Sequence, residues 1–370
     1  MKAIISGGGS GGHIFPAIAI ANAIRQRHPD ADILFIGAEG KMEMEKVPAA
    51  GYPIKGLPID GLHRQLNWTN IKRNIKLPYK ILKSNRMVKS IITEFQPDIV
   101  IGVGGYASEP TLKTAGRMGF PTLIQEQNSY AGLTNKMLSK QAQKICVAYE
   151  GMERFFPAEK IVMTGNPVRQ DIENMTATRE EGCTYFHLNP ERQTVLSVGG
   201  SLGARSINTM LLNHIEEFEK NNLQLVWQTG RWMYEQVSEA VRKAGAEEWV
   251  KVHQFINRMD LAYAAADIVI SRAGAIAISE LCLIGKPIIL IPSPNVAEDH
   301  QTKNAQALVN KGAAILVKDS ECNEQGIHKL LELSNSKELQ AKMSTSCLAM
   351  GKRQAAQKIA DEIDRIVQKS

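Results

Sequence analysis

One element of this sequence occurs twice, and it restricts the possible folds more than any other feature. GGSGGHI at 8–14 and GGSLGAR at 199–205 share the pattern Gly-Gly-Ser-x-Gly. Each copy follows a strand-like run and precedes a helix-like segment, which is the order of a Rossmann-type strand–loop–helix unit. The repeat therefore predicts two related α/β halves.

Buried, β-rich runs alternate with amphipathic segments in both halves, which is typical of parallel α/β architecture. These runs are ILFIGA (33–38), DIVIGVGG (98–105), TLIQEQ (122–127), KICVAY (144–149), TVLSVGG (194–200), LQLVWQTG (223–230), VKVHQF (250–255), DIVISRAG (267–274) and PIILIP (287–292). We expect two Rossmann-like parallel-sheet domains facing across a cleft, with a boundary at TGNPVR (164–169). The predicted domains are 1–166 and 167–350. Ile359, Ile363 and Ile366 at helical spacing predict a terminal helix at about 351–370 that returns to the first domain.

Size and cysteine usage suggest an intracellular protein of two domains. The chain has 370 residues, more than one hydrophobic core usually organises. Its five cysteines are odd in number and scattered, without metal-ligand spacing, which favours idle thiols in a reducing compartment. No apolar run approaches the roughly 20 residues of a membrane span, and the start lacks a signal-peptide pattern. We therefore expect a cytoplasmic location.

Positive charge is concentrated in the first half. Residues 1–166 carry 21 Lys and Arg against 13 Asp and Glu, and residues 61–93 carry eight basic residues and no acidic one. In that segment, apolar residues recur at three- or four-residue spacing, and Pro78 is expected to break the helix. The apolar positions are Trp68, Ile71, Ile75, Tyr79 and Leu82. The stripe is either the core face of an ordinary surface helix or a patch that lies on anionic lipid.

The glycine loops point to phosphate binding. Backbone N–H groups at a helix N-terminus favour an anion, and glycine lets the ligand approach the backbone. The alternative for a single loop is tight strand–helix packing without a ligand. A dinucleotide site is disfavoured, because the acidic residue expected about 20 positions on is absent and only Glu39 comes near. A third loop at Gly104-Gly105 places anion sites in both halves, which suits a reaction between two phosphate-bearing substrates.

Six motifs in order resemble one enzyme family. GGGSGGHIFP, GGYASEP, QEQNSYAGLTNK, TGNPVR, GGSLGAR and SRAGAIAISE together resemble the MurG family, the bacterial lipid I N-acetylglucosaminyltransferases of peptidoglycan synthesis. The resemblance implies a GT-B fold and an inverting transfer of GlcNAc from UDP-GlcNAc. The acceptor would be the C4 hydroxyl of MurNAc in undecaprenyl-pyrophosphoryl-MurNAc-pentapeptide, lipid I. Two residues depart from the family pattern: Gln125 stands where many members have His, and Glu109 where many have Gly.

Donor binding is expected mainly in the second half. Backbone N–H groups around Ala275 and Ile276 can meet a diphosphate, and the Glu280 carboxylate can accept two hydrogen bonds from a ribose diol. The resemblance adds diphosphate contacts from Ser201 and Arg169, a uracil contact through the backbone of Ile256, and a GlcNAc contact from Gln301. It also places residues of the first half at the sugar. The expected donor-binding set is Ser10, Gly11, Gly12, Asn128, Arg169, Ser201, Ile256, Ala275, Ile276, Ala277, Ile278, Ser279, Glu280 and Gln301.

His13 is the first candidate for the base that accepts the proton of the attacking hydroxyl. A helix N-terminus keeps its imidazole neutral, although an acceptor-positioning or diphosphate-binding role fits the same place. Glu126 and Tyr106 are the competing catalytic candidates. The acceptor diphosphate is expected at Gly8, Gly9, Gly104 and Gly105. Asp-x-Asp, a common metal-binding pattern in glycosyltransferases, occurs only at 30–32, before the second strand. We therefore expect neither a metal nor another cofactor. Helix N-termini and Arg169 are expected to stabilise the leaving diphosphate instead.

Alternatives from other classes remain. They are another GT-B UDP-sugar transferase, a UDP-GlcNAc epimerase, a dinucleotide-dependent oxidoreductase, and a nucleotide or nucleic-acid binding protein. The last lacks interleaved stacking aromatics beyond Trp68 and Tyr79. The expected partners are UDP-GlcNAc, lipid I and an anionic membrane surface, with no nucleic acid, and the expected location is peripheral, at the cytoplasmic face of the cell membrane.

Overall fold

The computed structural model describes residues 1–60, 77–200, 202–296 and 299–369. The chain divides into two compact units: Met1–Val168 with Gln354–Ser370, and Arg169–Arg353. Each unit contains one parallel β-sheet with helices between successive strands. The prediction of two Rossmann-like α/β domains is therefore confirmed.

The sheet of the first unit has seven strands among the described residues. They are β1 (Lys2–Ser6), β2 (Asp32–Ala38), β3 (Ile54–Leu57), β4 (Ile99–Gly102), β5 (Thr122–Glu126), β6 (Lys144–Val147) and β7 (Ile161–Met163). Their spatial order is β3-β2-β1-β4-β5-β6-β7, and all pairs are parallel. The order reverses between β1 and β4, which is the position where open α/β sheets bind ligands. The first glycine loop directly follows β1.

Helices cover both faces of this sheet. They are α1 (Gly11–Arg27), α2 (Glu43–Ala49), α3 (Leu77–Phe95), α4 (Ser108–Arg117) and α5 (Leu133–Leu138), with 3₁₀ turns at Met152–Arg154 and Ala158–Lys160. Successive strand residues point to opposite faces. Ile5 accordingly joins the core on the α1 side, while Ile4 joins the core that contains Val88 and Leu112. Two apolar layers thus hold β1, and with it the glycine loop, in place.

The second unit repeats this arrangement. Its strands are β8 (Gln193–Val198), β9 (Leu223–Gln228), β10 (Val250–His253), β11 (Ile268–Ser271), β12 (Ile288–Leu290) and β13 (Ile315–Leu316), in the order β10-β9-β8-β11-β12-β13. The reversal falls between β8 and β11, the two strands that precede GGSLGAR and SRAGAIAISE. Trp227 is fully buried in this core and donates its indole N–H to Asn208 Oδ1 at 2.9 Å.

The helices of the second unit are short. They are α6 (Gln170–Glu173), α7 (Arg179–Tyr185), α8 (Arg205–Asn213), α9 (Ile215–Lys220), α10 (Tyr234–Lys243), α11 (Met259–Ala265), α12 (Ala275–Ile284), α13 (His300–Val309), α14 (Cys322–Ser334) and α15 (Lys337–Met350), with a 3₁₀ turn at Asp319–Glu321. All five cysteines are free and buried, as the sequence suggests.

The terminal helix, α16 (Ala355–Val367), belongs to the first unit, so this prediction is also confirmed. Ile359 and Ile363 are fully buried in the core beside α1. Arg27, at the end of α1, donates to Asp361 at 2.6 Å and to Asp364 at 3.1 Å. Apolar burial and these ion pairs together attach the end of the chain to its beginning.

The basic segment is described only from Leu77 onwards, so Trp68, Ile71 and Ile75 lie outside the described residues. Pro78 lies in the first turn of α3, where a proline ring is tolerated, and does not interrupt the described helix. Tyr79 is 70% exposed and Leu82 60% exposed, so neither belongs to the core. Within the ranges that the structure describes, no helix combines the length and apolar character needed to cross a membrane.

Candidate active site

The first glycine loop, Gly7–Ser10, has no room for side chains at Gly7 and Gly8. A Cβ on Gly7 would lie 2.1 Å from Val103 Cγ2, and one on Gly8 would lie 2.1 Å from Glu43 Oε1. A Cβ on Gly105 would lie 2.4 Å from the Gly8 carbonyl oxygen, so the GGYASEP loop packs directly on the first loop. Close packing, one of the two interpretations of the sequence, therefore accounts for these glycines.

Glu43 lies inside this loop. Its side chain has no exposed surface, and its carboxylate accepts hydrogen bonds from the N–H of Gly9 at 2.9 Å and of Ala38 at 3.1 Å. Because the N–H of Gly9 is engaged here, it does not point to a diphosphate in this structure. Of the N–H groups near the loop, those of Gly11 and Gly12 are in the first turn of α1, which an α-helix leaves without internal partners.

The His13 imidazole lies between the first glycine loop and Gly104. Its Nδ1 lies 3.0 Å from the Gly8 carbonyl oxygen and 3.4 Å from Ser10 Oγ. Gly104 has a φ of +92°, and a Cβ there would lie 2.9 Å from His13 Nε2. Gly104 of the GGYASEP loop thus makes room for the imidazole ring, whose Nδ1 is turned to the first glycine loop.

Tyr106 and Ser108 show how the GGYASEP loop is organised. The hydroxyl of Ser108 is buried and donates to the carbonyl oxygens of Ser6 at 2.7 Å and Gly104 at 2.9 Å. Tyr106 is 48% exposed, and its ring lies close to Gly9. Ser108 is therefore structural, whereas Tyr106 is accessible beside the first loop.

Glu126, the second catalytic candidate, is almost fully buried and hydrogen bonded. Oε1 accepts from the Asn128 backbone N–H at 3.0 Å and from Asn128 Nδ2 at 3.2 Å, and Oε2 accepts from the Gly132 N–H and from Asn135 Nδ2, both at 2.9 Å. A carboxylate that accepts four hydrogen bonds orders the QEQNSYAG loop. These contacts favour a structural role for Glu126.

The two departures from the family pattern have local partners. Gln125 is fully buried, donates to Asn166 Oδ1 at 2.9 Å, and accepts a short hydrogen bond from Gln127. Glu109 accepts from Lys113 Nζ at 2.8 Å, one helical turn along α4. Both residues are thus accommodated by other side chains of the first unit.

The second unit contains a cavity of about 860 Å³ behind the GGSLGAR loop. Its walls come from the segments that follow β8, β11, β12 and β13. The lining includes Gly199, Gly200, Gly203, Arg205, Ser206, Arg272, Gly274, Ala277, Ser293, Gln301, Asp319 and Cys322. Burial raises the pKa of the Cys322 thiol to about 11, so this thiol stays protonated at neutral pH and is a poor nucleophile.

Arg272 and Asp319 give this cavity a charged wall. Arg272 donates to Asp319 Oδ1 at 2.5 Å and to the hydroxyl of Ser206 at 3.0 Å. Gln301 is anchored by accepting a hydrogen bond from the Ser293 N–H at 2.8 Å, through its carbonyl oxygen, which leaves its NH₂ group as the donor of that side chain.

Arg169, Glu280 and Tyr263 form a cluster in which Glu280 and Tyr263 are buried and Arg169 is partly exposed. Arg169 Nε donates to Glu280 Oε1 at 3.1 Å, and the Tyr263 hydroxyl donates to Oε2 at 3.1 Å. Glu280 is only 7% exposed, and burial raises the pKa of its carboxyl, an effect that Arg169 opposes. Burial and the Glu280 carboxylate together hold the pKa of Tyr263 well above its usual value. The sequence analysis predicts that Arg169 and Glu280 bind the same donor molecule, and in the structure the two side chains are in direct contact.

The expected uracil contact, Ile256, is tied to the second glycine loop by Gln228. Gln228 accepts from the Ile256 N–H at 3.0 Å and donates to the Gly200 carbonyl oxygen at 3.1 Å. The backbone carbonyl of Ile256 is not part of this bridge.

The remaining donor candidates lie on the helix that follows SRAG. α12 begins at Ala275 after the N-cap Gly274, so the N–H groups of Ala275, Ile276 and Ala277 are those of its first turn. Ser279 donates its hydroxyl to the Ala275 carbonyl oxygen at 2.9 Å, and Ile278 is buried in the core. Ser201 lies outside the described residues. No group of three or more His, Cys, Asp or Glu side chains within the described ranges is arranged to hold a metal ion.

Sequence reasoning missed Glu43, Gln228, Tyr263 and Arg272. Glu43 lies in the charged run KMEMEK, where nothing distinguishes it from its exposed neighbour Glu45. Arg272 follows β11 directly within the SRAG motif, so its place after a strand was a usable signal.

Comparisons with known proteins agree with this architecture. The glycosyltransferase family 28 N-terminal domain matches residues 3–147, and the C-terminal domain of the same family matches residues 194–363. A protein of Parabacteroides distasonis is 53% identical over 369 residues, covering 100% of this chain and 99% of its own length. One of Bacteroides thetaiotaomicron is 59% identical over 322 residues, covering 87% and 86%. Both are named UDP-N-acetylglucosamine–N-acetylmuramyl-(pentapeptide) pyrophosphoryl-undecaprenol N-acetylglucosamine transferase.

Solved structures show the same fold. The crystal structure of Acinetobacter baumannii MurG is 29% identical and superposes with a TM-score of 0.80, covering 98% of this chain and 99% of that one. The S. aureus MnaA–UDP structure is 15% identical with a TM-score of 0.68 over 100% and 97% of the two chains, and it shares the fold alone. With full-length relatives above 50% identity and both family 28 domains in order, this chain belongs to the MurG family of N-acetylglucosamine transferases.

Proposed function

We propose that this chain transfers GlcNAc from UDP-GlcNAc to the C4 hydroxyl of MurNAc in lipid I, with inversion at the anomeric carbon. The observation that carries this proposal is the placement of the six motifs. They follow β1, β4, β5, β7, β8 and β11, at the carboxyl ends of the strands in each sheet, where open α/β sheets bind their ligands.

The proposed reaction is a single displacement. The acceptor oxygen forms a bond to the anomeric carbon of GlcNAc as the bond from that carbon to UDP breaks, and the electron pair leaves with the diphosphate. His13 Nε2 accepts the hydroxyl proton, because Nδ1 faces the Gly8 carbonyl. The N–H groups at the start of α12 and the Arg169 guanidinium stabilise the charge that develops on UDP.

The donor is proposed to bind in the second unit. Each oxygen of Glu280 has one protein partner, and a carboxylate has about four acceptor positions, so two remain for a ribose diol. Arg169 uses Nε for Glu280, and its two Nη groups then bind the diphosphate together with Ser201. Ile256 contacts uracil through its carbonyl, and Gln301 donates to a GlcNAc hydroxyl.

The acceptor is proposed to bind in the first unit. Tyr106 is exposed beside Gly9, in the glycine loop that precedes His13. The acceptor diphosphate is proposed to contact the backbone of Gly8, Gly104 and Gly105 at the same place. We assign the N-terminus of α1, Ser10–Gly12, and Asn128 to the sugar end of the donor. Glu126 supports this end by ordering Asn128.

The direct test is transfer of labelled GlcNAc from UDP-GlcNAc to lipid I, with other hydroxyl acceptors in parallel. We expect transfer to lipid I and little to sugars that lack the lipid diphosphate. Conversion of UDP-GlcNAc to an epimer without an acceptor, or faster transfer to a different acceptor, would contradict the proposal.

We also propose that the exposed face of α3 binds the anionic surface of the membrane that carries lipid I, peripherally and from the cytoplasm. Tyr79, Leu82 and Arg86 recur at helical spacing and are exposed, and Lys83 and Lys89 are exposed beside them. Exposed apolar side chains surrounded by cations are the pattern of interfacial helices.

Replacing Lys83, Arg86 and Lys89 with Gln is expected to weaken binding to anionic vesicles by about 1 kcal/mol per cation, with less effect at high salt. Vesicle co-sedimentation measures this. The matched control replaces Lys220, Lys243 and Lys318, exposed lysines of the second unit, and leaves vesicle binding unchanged. Equal losses in both triple variants would show that net charge and not α3 determines binding.

Arg169→Lys is expected to weaken UDP-GlcNAc binding about tenfold, because a lysine ammonium cannot contact Glu280 and a diphosphate with separate nitrogens in one plane. Isothermal calorimetry measures the change. Arg258→Lys is the control, since Arg258 makes a bidentate ion pair with the nearby Asp260 on the surface. If Arg169→Lys binds UDP-GlcNAc as tightly as wild type, Arg169 is only a structural partner of Glu280.

A further inference from the structure

A single peptide group connects the buried Glu43 carboxylate to the His13 imidazole. The N–H of Gly9 donates to Glu43 Oε2 at 2.9 Å. The carbonyl of the same peptide group, that of Gly8, lies 3.0 Å from His13 Nδ1. Carboxylate, peptide and imidazole therefore form a continuous hydrogen-bonded chain.

The surroundings keep the carboxylate in this place. Glu43 atoms occupy the positions where a Cβ on Gly8 or on Gly37 would lie, at 2.1 Å and 2.6 Å, and the N–H of Ala38 holds the second carboxylate oxygen. Within the described residues, Glu43 makes no ion pair. Its carboxylate is held instead by the backbone N–H groups of Gly9 and Ala38, and the first of these belongs to the Gly8–Gly9 peptide.

We propose that Glu43 is a positioning residue that sets the tautomer and basicity of His13 through the Gly8–Gly9 peptide. This inference rests on the proposed role of His13 as the base. A carboxylate that accepts from the N–H of a peptide makes its carbonyl a stronger acceptor, because hydrogen bonds in a chain polarise one another. The stronger carbonyl keeps the proton on Nδ1, which leaves Nε2 with the lone pair that takes the proton of the acceptor hydroxyl.

Within the described residues, the other carboxylates of α2 and α16 are paired with cations. Tyr106 lies beside Gly9, and Glu45 on α2 is exposed and paired with Lys46. Asp361 and Asp364 of α16 contact the far end of α1 at Arg27, roughly 21 Å from His13 at 1.5 Å per residue. Glu43 is thus the carboxylate with a direct connection to the imidazole among the described residues of these elements.

The first test measures the titration and the tautomer of His13 directly and does not depend on catalysis. In protein labelled with ¹⁵N-histidine, Glu43→Gln is expected to move the midpoint of the His13 titration to lower pH by about one unit. That is the order expected when a negative charge one peptide group away is removed at an effective dielectric of about 20. The ring nitrogen shifts should also show a smaller share of the Nδ1–H tautomer. Glu45→Gln, on the same helix, is the control and should leave both unchanged.

Glu43→Asp covers the case in which the amide variant does not fold. It keeps the charge but retracts it by one methylene, and we expect a smaller shift in the same direction. A His13 midpoint and tautomer equal to wild type in every folded Glu43 variant would overturn the proposal.

The second test is a double-mutant cycle on the transfer rate. Glu43→Gln should lower kcat about 10–100-fold, the range seen for outer partners of functional histidines in metal sites, with UDP-GlcNAc affinity unchanged. In the His13→Ala background, the same change should have little further effect, because the residue through which Glu43 acts is missing. Additive losses would overturn the proposal. If His13→Ala alone is fully active, the base assignment fails, while the titration still reports whether Glu43 controls His13.

Discussion

His13→Ala is expected to lower kcat for GlcNAc transfer to lipid I by about 10²–10⁴-fold, the usual contribution of a positioned general base. The affinity for UDP-GlcNAc should barely change, because Arg169, Glu280 and Ile256 all belong to the other unit. Transfer assays with both substrates saturating give kcat, and calorimetry gives the donor affinity.

The pH profile separates a base from a ligand. A base at His13 predicts that the acidic limb of the pH–kcat profile disappears in the variant. A residue that only binds the acceptor diphosphate would raise the acceptor KM and leave kcat nearly intact. His28→Ala is the control, because His28 lies at the opposite end of α1, bonded to Asp364 at 2.8 Å. If His13→Ala keeps both kcat and the acidic limb, the base is elsewhere. Tyr106 then becomes the next candidate, because the four hydrogen bonds of Glu126 favour a structural role for that carboxylate.

Glu280→Ala is expected to weaken UDP and UDP-GlcNAc binding alike, by about 1.5–3 kcal/mol, or roughly 10- to 150-fold, for the loss of charge-assisted hydrogen bonds. The comparison ligand is 2′,3′-dideoxy-UDP. Wild-type protein should bind UDP more tightly than this analogue, and Glu280→Ala should bind the two almost equally. Asp171→Asn, which removes the other carboxylate near Arg169, should keep the preference.

The raised pKa of Glu280 adds a pH dependence to this prediction. The ionised carboxylate is the form that accepts both diol hydrogen bonds. Because burial raises its pKa, donor affinity should fall on acidification at a higher pH than an ordinary glutamate would give, and Glu280→Gln should lack this step. UDP-GlcNAc is the suitable ligand, since its diphosphate does not titrate in this range. An equal loss of affinity for UDP and its dideoxy analogue in Glu280→Ala would mean that Glu280 acts through Arg169 and not through the ribose.

The sequence alone determined the architecture and the location of both loops. The Gly-Gly-Ser-x-Gly repeat, the buried strand runs and the apolar spacing of Ile359, Ile363 and Ile366 are local patterns, and each reports directly on strand, turn or helix. The two parallel sheets and the return of α16 to the first unit follow from them. The motifs also made Arg169 and Glu280 candidates for binding one ligand, and the structure shows a hydrogen bond between them.

Only the tertiary structure decided which polar side chains are buried and what they contact. Glu43 and Glu45 are indistinguishable in the sequence, yet one lies against the Gly8–Gly9 peptide and the other is exposed. Glu126 is a catalytic candidate in the sequence, whereas its four hydrogen bonds favour a structural role, and the sequence does not reveal that Tyr263 contacts Glu280. These contacts join residues far apart in the chain or on separate elements. The periodicity of one segment does not record them, because burial and hydrogen bonding depend on what the rest of the fold places beside a side chain.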